Sequence, residues 1–464
     1  MTRLMTIAAF VLLPTSATAA ETTTMGATLP VYTVLPFVAL LLAIALLPLS
    51  IPEWWDHNRN KGIVAAACAV PVVVYLIALW GHAGLAELLH TTRDYCSFLV
   101  LLASLFVITS GIHVRGSLSG TPLMNSALLL IGAACASVIG TTGASVLFIR
   151  PLLRANESRR ARAHLVVFFI FMVSNCGGLL TPLGDPPLFL GFLNGVPFQW
   201  TLRLWPEWLM VNGILLVVAH VWDQVVLDRE ERERPGSQLE ELMEHQPLRI
   251  DGVRNLFFLG AIIVIVYASG RGIGLGGRPW PFGWQEGLMA AAALASYFST
   301  PDEYHVQNRF SFGPIIEVAV LFAGIFVTMG PALLILNARG GELGLRQPWQ
   351  LFWASGGLSS FLDNAPTYLT FAATAAGLKG VAAEGRYLAE FLGLGPDAEA
   401  MLRAISVGSV CMGANSYIGN GPNFMVKAIA EHHGVRMPSF FGYMAYSVGI
   451  LVPIFIAMTF LFFR

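Results

Sequence analysis

Apolar residues along this chain do not alternate with polar ones; they come in long runs. The runs fall near 31–51, 63–81, 95–113, 122–152, 164–200, 207–228, 254–270, 284–299, 314–332, 350–375, 399–430 and 438–463. A helix that crosses a bilayer needs roughly 20 apolar residues, so the pattern predicts about ten full spans. Helices are the only open-ended elements that satisfy their backbone groups inside a membrane, so the expected class is an all-α polytopic membrane protein. Three runs, 122–152, 164–200 and 399–430, are too long for one simple span, and run 350–375 has a polar break of its own. These four carry polar, Gly-rich or Pro-rich interruptions in their middles. Runs 122–152 and 350–375 are predicted to be re-entrant hairpins, and runs 164–200 and 399–430 broken transmembrane helices.

Composition agrees with the pattern. Of 464 residues, 55% are hydrophobic and 12% charged, about half the ~25% charge of a soluble domain. Mean hydropathy is +0.66. A soluble enzyme, a disordered chain and a nucleic-acid binder are excluded. The net charge of −1 points to no polyionic partner. The cysteines (Cys68, Cys96, Cys135, Cys176, Cys411) lie scattered in apolar stretches, which suits neither a disulfide framework nor a zinc site. No phosphate loop, haem or iron–sulfur spacing or nucleophile elbow is present. The glycines from Gly270 to Gly277 join two spans, without the strand–helix context of a nucleotide site. No cofactor and no enzymatic activity are expected.

Residues 1–20 read as a bacterial secretory signal peptide: Arg3, the apolar stretch Ile7 to Leu13, then Ala17-Thr18-Ala19. The mature N-terminus would then lie outside the cytoplasm, and the protein in the bacterial inner membrane. The positive-inside rule tests the order of spans. It places Arg59 and Lys61 inside, then His113 and Arg115, then the cluster Arg150, Arg154, Arg159, Arg160 and Arg162. The cluster can be inside only if run 122–152 enters and leaves from that face, bending at Gly140-Thr141-Thr142-Gly143. Segments 229–252 and 300–313 are also expected inside. The hairpin 350–375, broken at Asp363-Asn364-Ala365-Pro366, then enters from the opposite face. The tryptophans Trp54, Trp55, Trp200, Trp205, Trp208, Trp280 and Trp284 fall near span ends, as an aromatic belt would.

The two halves match each other. Leu105-Phe106-Val107 corresponds to Ile325-Phe326-Val327. The tip Thr141-Thr142-Gly143-Ala144-Ser145 is aligned with Asp363-Asn364-Ala365-Pro366-Thr367. Gly178 to Pro187 corresponds to Gly413 to Pro422, sharing a Gly, a hydroxyl residue, Leu or Ile, a second Gly, Asp or Asn, and a final Pro. Inverted repeats with helices broken at corresponding positions place a binding site at the breaks. The expected organisation is a signal peptide at 1–20, an extra N-terminal span at 31–62, repeat 1 at 63–228, a linker with a connecting span at 229–283, and inverted repeat 2 at 284–463.

Four polar breaks would converge at mid-membrane. Run 164–200 carries Asn175, Thr181, Gly184 and Asp185; run 399–430 carries Asn415, Ser416, Gly419, Asn420 and Asn423. The hairpin tips add Thr141, Thr142, Asp363, Asn364 and Thr367. Freed carbonyls suit a cation, and half-helix N-termini suit an anion. A carboxylate at this depth costs roughly 2.5–3.5 kcal/mol on insertion scales, which marks Asp185 and Asp363 as functional candidates. A buried acid favours its neutral form and a nearby cation the charged one, so one site can take either a proton or a cation. Each acid also precedes a proline-containing first turn and could simply cap a half-helix. Glu317, Glu286, Lys427 and His220 are weaker candidates, with interfacial or apolar-face readings, and Arg150 reads as a snorkelling anchor.

Ser174 to Pro187, Phe361 to Thr367 and Gly413 to Asn423 resemble the ion transporter superfamily. Within it the chain is most similar to the NhaD-type sodium/proton antiporters and the neighbouring citrate transporters. The resemblance implies two opposed hairpins, a scaffold that can form a homodimer, and an elevator-like motion of the part holding the hairpins. Dicarboxylate carriers of the superfamily show Ser-Asn-Thr tips and a Gly-Thr-Pro-Pro break. Here the tips are Gly-Thr-Thr-Gly and Asp-Asn-Ala-Pro, and the break is Gly-Asp-Pro-Pro, which favours a cation. The expected function is therefore a sodium (or lithium)/proton antiporter. Asp185, Asp363, Asn175, Thr181, Asn364, Thr367, Asn415, Ser416 and Asn420 would bind the cation, and Thr141, Thr142, Gly184, Gly419 and Asn423 would line the substrate site. Sodium- or proton-coupled uptake of citrate or another small carboxylate is the alternative. The expected partners are the lipid bilayer and these small solutes, with no nucleic acid.

Overall fold

The computed structural model describes residues 25–115, 119–233, 249–276, 280–308 and 310–464; the expected signal segment 1–20 lies outside them. Eight helices among the described residues are long and apolar enough to cross a membrane. The chain runs through α1 (Leu35–Ser50), α2 (Asn58–Ser110), β1 (His113–Arg115), α3 (Pro122–Ile139), α4 (Thr141–Ala155), α5 (Ala163–Met172), α6 (Pro186–Leu193) and α7 (Trp205–Glu233). It continues through β2 (Arg249–Asp251), α8 (Arg254–Arg271), α9 (Trp284–Ser299), α10 (Gly313–Arg339), α11 (Pro348–Ser359) and α12 (Asn364–Leu378), and ends with α13 (Pro396–Met412), α14 (Gly421–His432) and α15 (Phe440–Phe462).

Helix α2 spans 53 residues. At 1.5 Å per residue a straight helix of that length would reach about 80 Å, far beyond a ~30 Å hydrocarbon core. The chain solves this at Gly81, whose φ of 49° and ψ of −114° reverse its direction. A Cβ at Gly84 would meet the Leu76 carbonyl, so the two arms lie back against each other. The runs 63–81 and 95–113 are thus two antiparallel arms. The first begins at Asn58.

Polar contacts sort the loops onto two faces. On one face β1 pairs antiparallel with β2, His113 opposite Asp251. Asn308 donates to the carbonyls of Ser110 (2.7 Å) and Ile112 (2.8 Å) and accepts from Arg150 at its own carbonyl (2.8 Å). Arg159 pairs with Asp223 at 2.6 Å near the end of α7. Segments 111–121, 150–162, 229–252 and 300–313, all expected on one side, therefore meet on one basic face where described. The opposite face gathers Arg203 with Glu399 (2.7 Å), Arg403 with Glu207 (2.5 Å), and Leu388 N–H with the Asn194 carbonyl (2.9 Å).

This sorting exposes both hairpins. α3 and α4 begin and end on the basic face, where Asn125 and Asn156 exchange amide hydrogen bonds of 2.9 and 2.7 Å. Their bend at Gly140 has φ +81°, a region that costs other residues roughly 1–3 kcal/mol. α11 and α12 form the second hairpin from the opposite face. There Asn337, near the end of α10, donates to the carbonyls of Ala373 (3.0 Å) and Val381 (2.9 Å). The arms of the two helix pairs run over 122–155 and 348–378.

The broken helices α5–α6 and α13–α14 cross between the hairpins. Every residue from Leu165 to Val173 is at most 2% exposed. Apolar side chains all round α5 fit a helix that meets protein rather than lipid, where association rests on close packing. α2, α8, α9 and α10 pack together as a second group beside this core.

Candidate functional site

Four N-terminal helix ends meet at Asp185. Its residue is 1% exposed and precedes α6, yet its carboxylate makes no hydrogen bond to that helix's first turn. Instead Oδ1 accepts from the Thr141 hydroxyl (2.8 Å) and the Asn420 amide (3.3 Å), and Oδ2 accepts from the Asn364 amide (2.5 Å). Thr141 opens α4, Asn364 opens α12, and Asn420 caps α14. Both hairpin tips and both broken helices thus touch one carboxylate through neutral donors. None of the ion pairs among the described residues includes Asp185.

A ring of amides supports it. Asn175 donates to the Ile170 carbonyl (2.8 Å) and to Asn423 Oδ1 (2.7 Å), and accepts from Asn420 at 3.2 Å. Asn423 donates to the carbonyls of Gly413 and Ser416, both at 2.9 Å. All three asparagines are buried.

Asp363 is placed differently. It is half-buried and caps α12, accepting from Ala365 N–H at 3.0 Å. No donor from another break reaches it among the described residues. The capping reading therefore describes Asp363, while the carboxylate of Asp185 is free of that task. Asp363→Asn keeps an acceptor oxygen at the cap and is expected to change any transport rate less than about 3-fold, whereas Asp363→Ala should cost about 1 kcal/mol of local stability. Abolished transport in purified, folded Asp363→Asn would instead make the acid a carrier.

Thr181 and Ser416 do not reach Asp185; they brace the breaks. Thr181 Oγ1 donates to the Ser137 carbonyl and accepts from Leu183 N–H, while Ser416 Oγ donates to the Ser360 carbonyl and accepts from Ile418 N–H. The serine hydroxyls complete the brace: Ser137 donates to the Gly177 carbonyl (2.5 Å) and Ser360 to the Met412 carbonyl (3.2 Å). The same bonds occur in both halves, and Thr141 and Asn364 each stand four residues after the serine of their brace. Ser137 and Ser360 escaped the sequence reading, although a serine four residues before each tip was visible in both halves.

Thr367 turns back onto the Asp363 carbonyl (2.8 Å) inside α12. Asn415 donates to Ser360 Oγ at 2.9 Å, leaving its buried Oδ1 without a partner. Gly184 and Gly178 cross with no room for a side chain: a Cβ on Gly184 would meet the Gly178 carbonyl. Gly419 and Gly413 repeat that crossing. Lys427 pairs with Glu431 (3.0 Å), Glu317 with Lys61 (2.7 Å), His220 with Ser126 (3.1 Å), and Glu286 accepts from Ser97 (2.5 Å).

A partly open cavity adjoins Asp185. Its walls include Thr141, Thr142 and Gly184 of the core and Phe98, Leu105, Phe106, Pro314 and Val318 of α2 and α10. Those α2 and α10 residues lie toward the basic face. No lysine, arginine or histidine lines it.

A family described as "Putative citrate transport" matches residues 26–463. A comparison with curated proteins finds no match. The match takes in both hairpins, both broken helices and every residue around Asp185. It covers nearly the whole chain, so the protein belongs to this family of secondary transporters and is a multi-pass membrane protein.

Proposed function

We propose that the protein is a sodium (or lithium)/proton antiporter in which Asp185 alternately holds a proton and a cation. One observation carries this reading: a buried carboxylate at the junction of all four breaks, with three neutral donors and no basic neighbour in the adjoining cavity. A di- or tricarboxylate would find no cationic clamp there, whereas hydroxyl, amide and carboxylate oxygens suit a hard, weakly charged cation. Thr141, Asn364, Asn420 and Asn175 are the neutral groups nearest the acid, and Asn423 holds Asn175. The cavity lies between the core and the α2–α10 group, which suits an elevator-like slide of the core. Such a slide would have to break the bond from Arg150 to the Asn308 carbonyl.

Coupled uptake of citrate or another carboxylate is the second reading. Two observations favour it: the matching family is described as "Putative citrate transport", and the N-termini of α4, α6, α12 and α14 converge on the site. Each helix N-terminus favours negative charge by roughly 0.3–1 kcal/mol. The test is reconstitution in vesicles with an internal pH dye, followed by sodium, lithium, potassium or citrate. Sodium- or lithium-driven proton movement without citrate is the expected result. Silence with every cation, together with uptake of labelled citrate, would replace the antiporter with the carboxylate carrier.

A further inference from the structure

The Asn420 amide nitrogen sits among three oxygens of three kinds. It lies 3.1 Å from the Ser174 carbonyl, 3.2 Å from Asn175 Oδ1 and 3.3 Å from Asp185 Oδ1. An amide has two hydrogens to give, so three acceptors share them at long distances. A carbonyl, an amide oxygen and a carboxylate around one point are the ligands a hard cation takes. The nitrogen fills that point in this structure.

Asn364 supplies a second, independent observation. Its nitrogen donates to Asp185 Oδ2, while its Oδ1 is buried, on a fully buried residue, with no hydrogen-bond partner. Leaving such an oxygen unsatisfied costs roughly 1–3 kcal/mol. The terminal torsion of asparagine is broad and roughly two-fold, so nitrogen and oxygen can exchange places with little rotamer cost. After that exchange Asn364 Oδ1 would face Asp185 Oδ2. Two acceptors repel unless a proton or a cation lies between them.

We infer that Asn420 and Asn364 are occupancy-reading amides. In this structure both present N–H groups to the Asp185 carboxyl group. When a monovalent cation binds, Asn420 turns its amide over so that Oδ1 replaces the nitrogen, and the cation lies between that oxygen and Ser174 O, Asn175 Oδ1 and Asp185 Oδ1. The rotated Asn364 then adds its own Oδ1. The Ser174 carbonyl joins the ligands, while Thr181, Ser416 and Thr367 stay in their braces.

This inference rests on the cation reading of the site, and its test reads binding without transport. Purified protein in detergent is titrated with sodium or lithium chloride while its thermal midpoint is followed, with choline chloride at equal ionic strength as control. Wild type is expected to gain stability with sodium or lithium and not with choline. Asn420→Ala should weaken the apparent sodium affinity at least 10-fold. Asn420→Asp, which offers oxygens and no N–H, should keep it within a few-fold of wild type or tighten it. If Asn420 only donates to Asp185, the aspartate variant would lose the sodium response, and that result overturns the inference even where the alanine variant does not fold. A wild type that gains no stability from either cation overturns it as well. Sodium stabilisation that follows this pattern, without sodium-driven proton movement in vesicles, would remove antiport and leave the amide exchange standing.

Discussion

Asp185→Asn is expected to bring sodium- or lithium-driven proton movement down at least 100-fold, to the level of protein-free vesicles. The substitution keeps size and shape and removes one charge. A unit charge pair ~4 Å apart is worth about 4 kcal/mol at an effective dielectric of 20, so a factor of 100, about 2.7 kcal/mol, is a conservative expectation. Stability should not suffer in proportion. The wild-type carboxylate is buried at 1% exposure and faces three neutral donors, and removing a charge from the membrane interior relieves an insertion cost of roughly 2.5–3.5 kcal/mol. The variant should therefore express, purify and melt near wild type while transporting nothing. Wild-type exchange in Asp185→Asn would reduce the acid to a fold element and remove the reading built on it.

The largest expected effect on folding belongs to Gly184→Val. A Cβ at Gly184 would lie against the Gly178 carbonyl. The obstacle is backbone, which has no rotamer with which to yield. Gly184 also accepts the Thr141 N–H at its own carbonyl (2.8 Å), so any shift there pulls the first hairpin tip off the site. Overpacking costs typically about 1–3 kcal/mol, and a backbone obstacle puts this case at the upper end, about 3 kcal/mol. The expected result is poor yield, or a thermal midpoint in detergent well below that of wild type. The corresponding Gly419→Val meets the Gly413 carbonyl and should behave alike. Wild-type melting in both would mean that the two crossings can part.

Much of the architecture was legible along the chain. Run length and scarcity of charge required membrane helices, and the arginines from Arg150 to Arg162 required run 122–152 to return to its own face. The Gly, Pro and Asn positions of the two breaks named the unwound segments because helices cannot continue through them. Asp185 and Asp363, however, looked equivalent: each stands beside a proline-containing half-helix start. Sequence spacing could not separate them, because the difference lies in where each carboxylate points. Asp363 turns to its own helix at Ala365; Asp185 turns away, to donors that lie 44, 179 and 235 residues distant.

By itself, then, the sequence determined an all-helical membrane protein and the places where its helices break. Those follow from local properties: apolar run length, backbone donors lost at proline and freedom gained at glycine. Only the tertiary structure decided that Thr141, Asn364 and Asn420 share one carboxylate and that Thr181 and Ser416 brace the breaks. Those outcomes depend on contacts between residues far apart in the chain. Such contacts exist only once packing has brought the four unwound segments together around Asp185.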